Sequence, residues 1–71
     1  MDIRRQLGRN VQRIRKEHGW SQEELSFESG LHRTYISGIE RGARNPTALV
    51  IEQLAEALKV PSARLLESPP R

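Results

Sequence analysis

Apolar residues along this chain recur at helical intervals, and no stretch alternates as a strand would. Ile3, Leu7, Val11 and Ile14 fall within roughly 80° of one another at about 100° per residue. Arg5, Arg9, Arg13 and Lys16 form a second stripe on the opposite side, and Arg15 lies at the border of the apolar face. Gly19 is a natural stop. Next comes Trp20-Ser21-Gln22-Glu23-Glu24-Leu25. Here Ser21 can cap a helix, Glu24 completes a capping box, and Trp20 with Leu25 makes a hydrophobic staple. This second helix must end near Gly30, which tolerates the positive φ of a tight turn. A third begins after Leu31-His32 and runs to about Arg41, with Ile36 and Ile39 on one face and Thr34, Ser37, Gly38 and Arg41 on the other. Gly42 ends it, and Arg44-Asn45-Pro46 reads as a loop. Thr47 or Asn45 can cap a fourth helix whose core face is Ile51, Leu54, Ala55 and Leu58. Val60-Pro61-Ser62 interrupts it, and a short fifth helix carries Leu65 and Leu66. The pattern predicts five helices, about 2–18, 21–29, 32–41, 47–58 and 62–67, in one all-α domain spanning 1–71.

A polar outer face on the third helix, set off from the second by a glycine turn, is the arrangement of a helix-turn-helix. Its outward side carries short or hydrogen-bonding groups and nothing large and apolar to bury. The run Ser21-Gln22-Glu23-Glu24-Leu25, then Gly30 through Gly42, then Arg44-Asn45-Pro46-Thr47 and Leu54-Ala55-Glu56-Ala57-Leu58, resembles the phage-repressor-like (Cro and Xre) helix-turn-helix family. The resemblance extends from about Val11 to Leu66. The segment His32-Arg33-Thr34-Tyr35-Ile36-Ser37 is similar in particular to the controller proteins of restriction-modification systems.

That resemblance implies a compact five-helix lambda-repressor-like fold and a sequence-specific transcriptional regulator that binds double-stranded DNA. It implies base contacts from Arg33, Thr34 and Ser37. Arg33 is suited to a bidentate guanine contact and Thr34 to a thymine methyl. Gly38 joins this set because a mid-helix glycine costs on the order of 1 kcal/mol and calls for a close approach, such as a phosphate or base, to offset it. Gln22, Tyr35, Arg41, Arg44 and Asn45 are implied as phosphate contacts or groove flanks. Arg15 and Glu40 match a partly buried ion pair of the family. The chain departs from the family pattern at several positions. Ser26 stands where Ala is common, so its hydroxyl needs a local backbone acceptor. Phe27 points off the core face, and covering Tyr35 and contacting DNA both stay open for it. His32 replaces a better capping residue, and Lys59 replaces the common glycine after the fourth helix.

Composition narrows the chemistry. Seventy-one residues allow one small core, for which a partner subunit would be a useful staple. Leu49, Val50, Leu65 and Leu66 exceed what one core face needs and are the expected surface of a homodimer. Two copies would read half-sites about 34 Å apart on a near-palindromic operator. Net charge is only +3, but residues 3–16 hold six basic side chains and no acidic one, and Arg33–Arg44 holds three Arg and one Glu. Such a sided distribution suits a polyanion. With no cysteine there is no disulfide, zinc–thiolate site or thiol nucleophile, and His18 and His32 lack a third ligand at sensible spacing, so no metal is expected. No cofactor, small-molecule effector or catalytic role is expected. No apolar run is long enough to span a bilayer and no signal-peptide pattern follows Met1, so the expected location is cytoplasmic, away from membranes. An antitoxin-like module that masks a partner protein is the alternative reading of the same fold.

Overall fold

The computed structural model describes residues 2–68. Among them the elements run α1 (Ile3–Glu17), α2 (Gln22–Ser29), α3 (Arg33–Glu40), α4 (Ala48–Leu58) and α5 (Ser62–Leu66), with no strand. No helix among the described residues is long and apolar enough to cross a membrane. For the first four helices, the residue at which the sequence pattern begins is the cap, and the helix starts one position later. Asp2 accepts the Arg4 N–H at 2.8 Å, and the hydrogen bond from the Arg4 side chain holds its carboxyl below the ordinary carboxylate value. Ser21 accepts Glu24 N–H at 3.0 Å; among the described residues the Glu24 carboxylate makes no return bond, so only half of the capping box forms. Thr47 caps α4 by accepting Val50 N–H at 3.2 Å. His32 caps α3 with its ring nitrogen, despite replacing a better capping residue.

Helices of eight residues are not stable alone in water, so α2 and α3 stand by what they bury. Leu25 from α2 and Ile36 and Ile39 from α3 are buried together with Leu7, Val11 and Ile14 of α1, Leu54, Ala55 and Leu58 of α4, and Leu65 of α5. Each of these Leu, Ile and Val side chains contributes about 1.5–3 kcal/mol on removal from water. Ile3, which shares the apolar stripe of α1, lies a turn beyond this core and is 55 % exposed. Trp20 packs against the core edge, and its ring stacks on His18 at 4.4 Å.

Three polar or small residues fix how the helices meet. Gly8 lets α1 lie directly on the C-terminal turn of α3. A Cβ there would fall on the Ile39 carbonyl oxygen and 2.7 Å from that of Glu40. Asn10, buried on α1, donates to the carbonyls of Leu65 at 2.9 Å and Glu67 at 2.8 Å, satisfying the frayed end of α5. Gln53 of α4 donates to Ser29 O at 2.7 Å, tying α4 to the end of α2. The turn between α2 and α3 is built from Gly30 at φ 76° and from Ser26, whose hydroxyl donates to Leu31 O at 2.5 Å. That carbonyl is the local acceptor the Ser26 hydroxyl needs.

Candidate nucleic-acid interface

With Ile36 and Ile39 seated in the core, α3 turns Arg33 and Thr34 to solvent and leaves Ser37 half-buried beside them. Arg33, Arg41 and Arg44 are all exposed, and none is in an ion pair among the described residues. Asn45 is exposed in the loop that follows. The result is a polar ridge with unpaired guanidinium groups at both ends.

Arg44 is held rather than free. Its guanidinium lies over the half-buried Tyr35 ring, 5.5 Å from the centroid, a favourable cation–π placement. Its aliphatic stem runs across Gly38, where an added Cβ would sit 2.6 Å from Arg44 Cγ. This corrects the expectation for Gly38. The glycine is buried, and the close approach it permits is to this chain's own Arg44, so it offers no surface to a base. Phe27 is 82 % exposed on α2, and the side chain over the Tyr35 ring is that of Arg44.

Behind the ridge lies a buried polar knot. Arg15 Nε donates to Glu40 Oε2 at 2.7 Å and Arg15 Nη2 to Glu40 Oε1 at 3.0 Å, a bidentate pair with side chains 8 % and 2 % exposed. Arg15 Nη1 also donates to Trp20 O at 2.8 Å. Gln22 Nε2 donates to Glu40 Oε1 at 3.0 Å. One amide proton of Gln22 is therefore committed inward, and only the other is left for an outside anion. The knot locks the start of α2, the end of α1 and the end of α3 in one relative placement.

On α4 and α5, Leu49 is 77 % exposed and Leu66 40 % exposed. With Ala48, Ile51, Glu52 and Ser62 they line an open, largely apolar groove of about 290 Å³ between α4 and α5. Leu65 does not belong to this surface. It is fully buried and anchors α5 in the core, so of the two leucines of α5 only Leu66 faces the groove. Val50 is half-buried and packs on the core.

The helix-turn-helix model (HTH_3) matches residues 11–65, most of the chain and all of the ridge. The chain belongs to the helix-turn-helix family. As a member it is a DNA-binding transcriptional regulator. It is 48 % identical over 67 residues to the control protein C.BamHI of Bacillus amyloliquefaciens, covering 93 % of this chain and 83 % of that one. Among solved structures, a hypothetical transcription factor from Neisseria superposes with a TM-score of 0.92 at 44 % identity, over 96 % of this chain and 78 % of its own. The restriction-modification controller protein C.Esp1396I, solved as a tetramer with its natural 35 base-pair operator, superposes with a TM-score of 0.84 at 37 % identity, over 92 % of this chain and 86 % of its own.

Sequence reasoning missed His32 as a cap, Arg44 as a packed rather than free cation, and Gly8 as the contact point of α1 with α3. The last was within reach. The argument applied to Gly38, that a mid-helix glycine requires a close neighbour, applies equally to Gly8 and there identifies a backbone contact.

Proposed function

We propose that residues 1–71 act as one DNA-binding domain, two copies of which read a near-palindromic operator in the cytoplasm to control transcription, without a catalytic step or a small-molecule effector. The observation that carries this is the outer face of α3. It is polar and exposed and carries or adjoins three Arg that are in no ion pair among the described residues, while two buried isoleucines hold it from behind. A helix so mounted enters the major groove with its N-terminal residues at base edges. Arg33 presents a fork that matches guanine O6 and N7, Thr34 offers a methyl and a hydroxyl, and Ser37 offers a hydroxyl one turn further on. Arg41, Arg44, Asn45 and Tyr35 meet phosphates beside the groove, joined by the remaining amide proton of Gln22 at the start of α2, where the helix dipole favours an anion.

Dimerisation through the groove between α4 and α5 accounts for the exposed Leu49 and Leu66, with Val50 at its margin. The body measures 29 × 21 × 19 Å. Two such bodies side by side are long enough to span successive major grooves on one DNA face, roughly 34 Å apart. Likeness to C.BamHI and C.Esp1396I supports a restriction-modification controller as the kind of regulator.

Fluorescence anisotropy with a labelled fragment from upstream of its own gene tests the proposal. Binding is expected to outcompete bulk DNA by at least about 10³-fold. Arg44→Ala should weaken binding to every sequence and reduce the slope of log K against log salt by about one per protomer. Equal affinity for upstream and bulk DNA at all salt concentrations would overturn it.

A further inference from the structure

The hydrogen-bonding polarity of Thr34 is set within the protein before any DNA arrives. The backbone N–H of Thr34 is a donor whose direction the chain fixes, and it points at His32 Nδ1, 3.1 Å away. One N–H cannot donate to another, so Nδ1 carries the lone pair and the neutral ring holds its proton on Nε2. Thr34 Oγ1 lies 2.7 Å from the same Nδ1. Two lone pairs facing each other at that distance repel. The contact is attractive only with the hydroxyl proton directed at the ring. A threonine hydroxyl has one proton, and here it is consumed. What Thr34 has left to offer is its methyl group and its oxygen lone pairs.

We propose that His32 is a specificity-determining positioning residue: by taking the hydroxyl proton of Thr34, it makes Thr34 a reader of thymine methyl or of amino-bearing base edges, and a poor partner for guanine. In the major groove adenine N6 and cytosine N4 donate, whereas guanine shows only the acceptors N7 and O6. An unconstrained threonine hydroxyl could turn to serve either kind of edge. The His32 contact removes that choice. The inference rests on α3 being the base-reading helix, as proposed above.

The test is in vitro selection from a randomised operator with the full chain, comparing wild type, Thr34→Val, His32→Ala, His32→Asp and the double variant His32→Ala/Thr34→Val. Thr34→Val removes the hydroxyl at nearly constant shape, so the base pair whose preference it changes is the one Thr34 reads. His32→Ala should change preference at that same base pair, admitting guanine with a loss of discrimination on the order of tenfold. It should add nothing further in the Thr34→Val background. His32→Asp restores an acceptor for both Thr34 donors. It should keep the wild-type preference while lowering affinity for all sequences through its charge. If His32→Ala lowers stability or overall affinity yet leaves that base pair as in wild type, His32 is only a helix cap and the proposal falls. If Thr34→Val changes no base pair, the hydroxyl takes no part in reading and the proposal falls; if Arg33→Ala changes none either, the assignment of α3 falls with it. Long-range proton–nitrogen NMR of wild type gives a readout independent of any variant's folding: the proton should be found on Nε2, and a proton on Nδ1 overturns the proposal.

Discussion

Glu40→Ala is expected to remove a large part of this domain's stability. The Glu40 carboxylate is 2 % exposed and accepts three hydrogen bonds, two from Arg15 and one from Gln22. Without it the Arg15 guanidinium stays buried, with the Trp20 carbonyl as its remaining protein acceptor. Stranding one member of a buried ion pair costs about 3–5 kcal/mol. A domain of this length has about 4–10 kcal/mol in total at typical stability per residue. The melting temperature should therefore fall on the order of 20 °C, at about 4–8 °C per kcal/mol for a domain this small. Thermal melting followed by circular dichroism reads this directly. The companion variant Arg15→Met/Glu40→Leu removes both charges, and replacing a whole buried pair is often neutral or better. It should melt well above Glu40→Ala. A Glu40→Ala protein melting within about 3 °C of wild type, or a double variant no better than the single one, would refute the view that the knot is desolvated and mutually satisfied.

Other variants probe separate parts of the account. Gly8→Ala pushes a methyl into the backbone of α3, which cannot step aside as a side chain could, so the urea midpoint should drop by the equivalent of about 1–3 kcal/mol; an unchanged midpoint would remove the close contact of α1 with α3. Lys59→Gly relieves a left-handed conformation at φ 60°. It should raise stability by about 0.5–1 kcal/mol, measured in the same titration, with a loss of stability as the contrary result. Leu66→Asp places a charge in the groove between α4 and α5 and should yield a monomer by sedimentation with its helix content intact; a persisting dimer would move the interface elsewhere.

The first three helices were legible in the sequence because each combines a strong local signal, a capping side chain and a glycine at the stop; α4 keeps the period of 3.6 and the Thr47 cap but stops at Lys59, and α5 has no side-chain cap. The seating of Ile36 and Ile39 followed from the same periodicity. What could not be read locally was determined by partners distant in the chain. Leu65 looks like surplus surface until the packing of α5 on α1 and α4 turns it inward and leaves Leu66 outside. Gly38 looks like a site of ligand approach until the loop after α3 folds Arg44 back over it. Gln22 looks like a free amide until the end of α3 brings Glu40 within 3.0 Å. His32 looks like a poor cap by residue type, yet its ring nitrogen is an acceptor at the right height, which is all the position requires. Tertiary placement decided each of these cases.

The most direct measurement is the effect of Arg33→Ala on binding to the upstream operator and to variants of it changed one base pair at a time. Loss of a bidentate base contact should cost about 1–3 kcal/mol on the operator and abolish preference at a single base pair, with affinity for unrelated DNA nearly unchanged. An Arg33→Ala protein that binds the operator as tightly as wild type, with every base preference retained, would contradict the claim that the exposed face of α3 reads the major groove.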